Sequence, residues 1–108
     1  MVAFVNQKPL FPLGQIVATP AALEALEAAG QTPSEFLARH VCGDWGEALC
    51  DEDKTLNDEA LKDGSRILSA YLLNAGNNGS GCKVWIISEA VGDNGQRAAT
   101  TILLPEEY

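Results

Sequence analysis

His40 is the only histidine in the chain; Arg39 precedes it and Asp44 follows four residues later. A histidine titrates near neutrality and so can pass a proton, a carboxylate can orient its ring, and a guanidinium can hold an anionic group. On that chemistry His40, with Asp44 and Arg39 assisting, is the candidate catalytic set of a small hydrolase or nuclease-like toxin. The competing reading is structural: His40 sits on a helix seam, Arg39 pairs with Asp44, Asp44 braces a loop, and Trp45 plugs the edge of the core. One histidine beside one aspartate is a common pattern, and only geometry makes it catalytic. The structural reading is therefore preferred.

The remaining candidates for chemistry fall away on spacing. Asp51, Glu52, Asp53, Asp58, Glu59 and Asp63 lack the alternating pattern, glycine and distal glutamate of a calcium loop, and read as a solvated helix face. Cys42, Cys50 and Cys82 form no Cys-x-x-Cys pair, so neither a zinc site nor a disulfide framework follows, and reduced, mostly buried thiols are expected. Gly76-Asn77-Asn78-Gly79-Ser80-Gly81 resembles a phosphate cradle only in composition. Strands are expected on both sides of it and no Gly-Lys-Ser/Thr follows, so it reads as a hairpin loop. No nucleophile turn and no paired-histidine zinc helix occurs. The sequence thus predicts no metal and no cofactor.

Charge narrows the partners. Lys and Arg number 7 against 15 Asp and Glu, a net charge of −8 with the basic residues scattered from Lys8 to Arg97. Nucleic-acid affinity comes largely from cations displacing condensed counterions, so direct DNA or RNA binding is disfavoured, as is an anionic membrane surface. A basic protein partner remains compatible. The apolar start at residues 1–5 is too short for a membrane span and lacks the basic start and cleavage site of a signal peptide, so a cytoplasmic chain is expected.

The elements that would position these residues are legible from periodicity and punctuation. Residues 1–14, with Pro9, Pro12 and Gly14, read as an arm, and 15–108 as a single α+β domain. A strand is predicted over 15–19. Thr19-Pro20 starts a helix over 20–29, with Leu23, Leu26 and Ala29 on its apolar face and Gly30 as the stop. Thr32-Pro33-Ser34-Glu35 is a capping box opening a helix over 33–42, on which Phe36, Leu37, His40 and Val41 share a face. The two helices should form a hairpin. A third helix is predicted over 51–63, acidic at its start, with Leu56, Ala60 and Leu61 buried and Gly64 beyond it. Residues 67–73 are apolar on both alternating faces, as a central strand would be, and strands over 83–88 and 100–104 follow. Asn78-Gly79 and Asn94-Gly95 favour tight hairpin turns. The order is β-α-α-α-β-β-β, with the helices packed on a small antiparallel sheet.

Three short helices can cover one face of such a sheet. Some of Leu68, Ala70, Leu72, Trp85 and Ile87 would fall on the other, too much apolar surface for a monomer to expose. Either the arm, with Phe4, Leu10, Phe11 and Leu13, folds across that face or a homodimer buries it. Trp45, Leu72, Trp85 and Ile87 are the candidate interaction residues, Trp45 and Trp85 being expected mostly buried.

The segments Phe11-Pro12-Leu13-Gly14-Gln15-Ile16-Val17-Ala18-Thr19-Pro20, Gly43-Asp44-Trp45-Gly46, Trp85-Ile86-Ile87-Ser88-Glu89-Ala90 and Leu103-Leu104-Pro105-Glu106-Glu107-Tyr108 together resemble a family of small uncharacterised proteobacterial proteins encoded on plasmids and integrated mobile elements. The resemblance covers nearly the whole chain from Phe11 and implies a non-enzymatic accessory or interaction protein of a mobile genetic element. It carries no activity from which a residue's role could be transferred. Some members bear names implying a restriction-modification methyltransferase subunit. This chain has neither a cofactor-binding half nor an Asn/Asp-Pro-Pro-aromatic motif, so that label does not extend to it.

Overall fold

The computed structural model describes residues 9–73 and 83–108. Phe4, Cys82 and the loop over 74–81 lie outside the described residues. The elements run β1 (Gln15–Ala18), α1 (Pro20–Ala28), α2 (Pro33–Val41), α3 (Asp51–Asp63), β2 (Ile67–Leu72), β3 (Lys83–Ser88) and β4 (Ala99–Leu103), followed by a 3-10 turn (Pro105–Glu107). The predicted α+β class and element order hold, and the predicted boundaries agree to within a residue or two.

The helix ends follow their local chemistry. The Thr19 hydroxyl accepts the Ala22 amide at 3.1 Å, and Pro20 occupies the first helical position, where no N–H is needed. At the other end of α1 the Gly30 amide donates to the Glu27 carbonyl and the Gln31 amide to the Leu26 carbonyl. That pair of bonds is a Schellman closure, with Gly30 at φ +72°. The Glu35 carboxylate accepts the Thr32 amide at 3.3 Å, the reach-back half of the capping box. The predicted faces need correcting in two helices. Leu23 is 44% exposed while Ala22 and Leu26 are buried, and in α3 Leu56 is 59% exposed while Asn57 and Ala60 are buried. Small and polar residues were chosen over the leucines because α1 lies close to the sheet and Asn57 has a backbone to bind.

The sheet is mixed, not antiparallel. Its order is β1-β4-β3-β2, with β2, β3 and β4 forming the predicted meander and β1 joining parallel to β4. A parallel neighbour needs a long crossover, and here the crossover is all the chain between β1 and β4. The 92–95 turn follows the Asn-Gly signal: the Gly95 amide donates to the Gly92 carbonyl, and Gly95 takes φ +78°.

Register assigns the faces. Ile67, Ser69, Tyr71, Val84, Ile86, Ser88, Thr100 and Ile102 share one face and all are buried. Ala22, Leu26 and Phe36 pack there, so α1 and α2 feed a common core. The end of the arm belongs to this side too: Phe11 is buried against His40 and Trp45. Leu10 is tied to α2 by its amide to the Val41 carbonyl. The described part of the arm therefore does not cross the opposite face.

β2, predicted as a central strand, is an edge strand. Its apolar character on both faces has a physical reason, because its free edge is sealed. The Asn57 amide accepts the Leu68 N–H at 3.1 Å and donates to the Leu68 carbonyl at 2.6 Å. The Ala70 amide donates to the Trp45 carbonyl, and its carbonyl accepts the Ala48 amide. The Glu47 carboxylate takes the Leu72 amide at 2.5 Å. To lie this close the chain needs glycine at position 46. Gly46 has φ +100°, and a Cβ there would meet the Ala70 carbonyl oxygen at 2.0 Å.

Gly46→Ala should therefore cost about 3–5 kcal/mol in denaturant unfolding, through strain plus displacement of the 45–48 segment from β2. Gly30→Ala shares the left-handed backbone but has open space around it. Its cost should stay at about 1–2 kcal/mol. Equal costs at the two positions would mean that the close approach to β2 does not matter.

Candidate functional site

The three residues of the predicted catalytic set are not brought together at an open cleft. His40 is 0% exposed, whereas the Arg39 and Asp44 side chains are 33% and 51% exposed. Arg39 grips Asp44 with two bonds, Nε to Oδ2 at 2.7 Å and Nη2 to Oδ1 at 3.3 Å, and reaches Glu47 at 2.8 Å. Its guanidinium also lies 4.5 Å from the Tyr71 ring centroid. Asp44 accepts the Gly46 amide, and the Asp44 carbonyl accepts the Tyr71 hydroxyl at 2.6 Å. These contacts hold the loop that seals β2. Hydrogen bonding to Asp44 raises Arg39 above its ordinary pKa, and burial pushes the Tyr71 phenol up. Both are thereby fixed in the protonation state that the brace requires.

His40 faces inward and binds hydroxyls from two strands, Nδ1 to Ser69 Oγ at 2.5 Å and Nε2 to Ser88 Oγ at 2.9 Å. Ser88 Oγ lies 2.7 Å from Thr100 Oγ1, and the Thr100 hydroxyl donates to the Leu13 carbonyl at 2.7 Å. Proton counting orders the chain. Thr100 has one hydroxyl proton and gives it to Leu13, so Ser88 must donate to Thr100. Ser88 then accepts from His40 Nε2–H, and Nδ1 accepts from Ser69. Burial, with the Arg97 charge adding to it, pushes His40 down to about 3. The ring is neutral and carries its proton on Nε2. An imidazole between two serines could serve nucleophilic chemistry, but this one meets no solvent and every hydroxyl is committed. It acts as a polar pin between α2 and the sheet.

The predicted interaction residues divide in the same way. Trp45 is 5% exposed, stacks on Phe11 at 6.4 Å and donates from Nε1 to Asp58 at 3.0 Å. Leu68, Ala70, Leu72, Trp85 and Ile87 do share the second sheet face. Within it Ala70 and Ile87 are buried, Leu68 and Trp85 half-buried, and Leu72 is 46% exposed. The Tyr108 ring stands edge-on to Trp85 at 5.6 Å, and the Thr19 hydroxyl anchors the preceding turn through Glu107 at 2.7 Å. The C-terminal turn is thus one cover of that face. Cys50 is exposed and Cys42 half-buried, unlike the buried thiols expected.

The open surface lies at the other edge of the sheet. The Gln15 and Thr19 amides donate to the Ala98 and Ile102 carbonyls, so the odd-numbered residues of β1 face β4. Ile16 and Ala18 turn their backbone groups outward, where no protein partner meets them among the described residues. Ile16 is 51% and Val17 43% exposed. This edge was not foreseen, nor were Asn57, Ser69 and Ser88. Serine in phase with Ile67 and Tyr71 on an apolar strand was the available signal, since a buried hydroxyl demands a partner. Among the described residues no group of His, Cys, Asp and Glu is placed to hold a metal, and no helix is long and apolar enough to cross a membrane.

No protein-family model, no curated protein and no solved structure matches this chain.

The neutral buried histidine generates a pH signature. Below its unfolded value of 6.5 the unfolded chain binds a proton that folded His40, held at about 3, refuses. Its contribution is complete above pH 6.5 and is lost as pH falls toward 3. Between pH 6.5 and about 5, before most carboxylates titrate, stability should fall with a slope that steepens toward about 1.4 kcal/mol per pH unit. His40→Gln should be less stable at neutral pH and flat across that window. Urea unfolding at several pH values checks both; a flat wild-type profile would place the ring in water.

Proposed function

We propose that this chain is a non-enzymatic interaction protein that works as a homodimer, two copies joined edge to edge through β1. The observation that carries the reading is the contrast between the two sheet edges. β2 is sealed by side-chain and loop bonds, while β1 leaves the backbone of Ile16 and Ala18 unpaired among the described residues, with the Ile16 and Val17 side chains exposed. Natural proteins guard an exposed edge with charge, proline or a bulge. Gln15, Ile16, Val17 and Ala18 offer none of these, and the strand is guarded by its four-residue length alone. A twofold axis beside β1 aligns two such strands antiparallel, and the outward groups of each then satisfy those of the other. The resemblance noted above supports placing this activity in an accessory protein of a mobile genetic element.

The net charge of −8 supports a second reading for the same edge. An extended segment of a basic protein would dock there with long-range attraction, where a second copy meets repulsion. Direct nucleic-acid binding fits neither the charge nor this surface.

Sedimentation equilibrium at about 10–100 µM protein separates these cases. A homodimer should tighten as salt screens the like charges. Ile16→Pro removes an outward N–H and leaves the bonds to β4 intact, so it should give a folded monomer. A wild-type monomer at every salt concentration, or a dimer indifferent to Ile16→Pro, rules out the homodimer.

A further inference from the structure

Arg97 is 5% exposed, yet among the described residues no carboxylate lies within ion-pair distance of it. Three backbone carbonyls hold it: Nη1 donates to Ser65 at 2.7 Å and Glu89 at 2.8 Å, and Nη2 to Ala60 at 3.2 Å. Its guanidinium stands 5.4 Å from the Phe11 ring centroid. A guanidinium has five N–H donors. Those three bonds leave the Nε hydrogen and one Nη2 hydrogen without a protein acceptor among the described residues. Nε and Nη2 are the pair that a carboxylate engages side-on with two parallel bonds.

Arg97 lines an open cavity of about 400 Å³ between the arm, the end of α3 and the 91–97 turn. Leu10, Phe11, Pro12, Leu61 and Val91 form apolar walls. Lys62 and Asp63 are the other charged residues of the lining; the Asp63 carboxylate accepts the Ser65 amide at 2.9 Å and its charge acts on Arg97 through space, which leaves two cations against one anion. The cavity is thus locally cationic in a chain of net charge −8, and its volume falls in the range of small-molecule sites. We infer that it binds a small amphipathic carboxylate, the carboxylate on Arg97 and a short apolar tail against Phe11, Leu61 and Val91. A phosphate matches the charge but leaves the walls unused. An uncharged analogue matches the walls but leaves the cation unneutralised.

The test is a titration of the full chain with sodium hexanoate, hexanamide and inorganic phosphate, followed by backbone amide shifts at Leu61, Gly92 and Arg97. Hexanoate should saturate, with hexanamide and phosphate each at least about tenfold weaker. Arg97→Gln should abolish the preference for hexanoate over hexanamide. Because Arg97 also holds three carbonyls, that variant can fail to fold. Val91→Trp then decides alone: Val91 is 41% exposed and pairs with Arg97 across the turn, so a larger ring there fills the cavity from its rim while Arg97 and its three carbonyl bonds are retained. It should weaken hexanoate at least about tenfold. No saturation by about 10 mM hexanoate, equal binding of hexanamide or of phosphate, or full binding by Val91→Trp would each overturn the inference.

Discussion

The structure depends on burying a neutral imidazole in a row of hydroxyls. Ser69 on β2, Ser88 on β3, Thr100 on β4 and the Leu13 carbonyl at the end of the arm are linked through His40 on α2. Apolar contacts around them supply the larger share of the driving force, but they are not directional. The hydrogen-bonded row is directional. Each hydroxyl has one proton, so the chain runs one way, from Ser69 to Leu13, and only one sliding position of α2 over the sheet satisfies it. Polar groups this deeply buried are costly when unpaired, which makes the row a means of specifying a single packing.

The same economy of bonds explains why the two edges of the sheet differ. α2 ends one residue past the pinned histidine, and the loop that follows is carried beside β2 by Arg39, Asp44 and Glu47. The close passage of Gly46 and the side chain of Asn57 complete the seal. Among the described residues nothing comparable reaches β1. Its neighbours on the chain are the arm, directed to the helix side by Phe11, and α1, which packs inward through Ala22 and Leu26. The β1 edge is what remains open among the described residues after the helical side has been secured. It presents backbone groups and two apolar side chains, Ile16 and Val17.

Much of the fold was legible because its signals are local. Thr19-Pro20, Thr32-Pro33 and Gly64 mark helix ends through bonds made within four residues, and the change of period at residue 66 marks the sheet. What was not legible depended on long-range partners. Leu56 was assigned to the core in place of Asn57 because hydropathy does not register that an amide can pair with the Leu68 backbone. β2 was read as central because its pattern reports coverage, and a loop can cover a strand as well as another strand can. The parallel placement of β1 left no trace in a sequence whose other strands reverse through short turns. His40 stands out in the sequence, but residue type and spacing do not separate a proton shuttle from a pin. That distinction rests on Ser69 and Ser88, 29 and 48 residues away.

The most direct test of this account is the state of the His40 ring in solution, read from long-range proton–nitrogen NMR correlations at neutral pH and on acidification to about pH 5. A single tautomer should appear, with Nε2 protonated and Nδ1 bare, and neither nitrogen should shift across that range. A mixture of tautomers, a proton on Nδ1, or titration with a midpoint near the ordinary value of 6.5 would contradict the buried, unidirectional chain from which the rest of the structure has been derived.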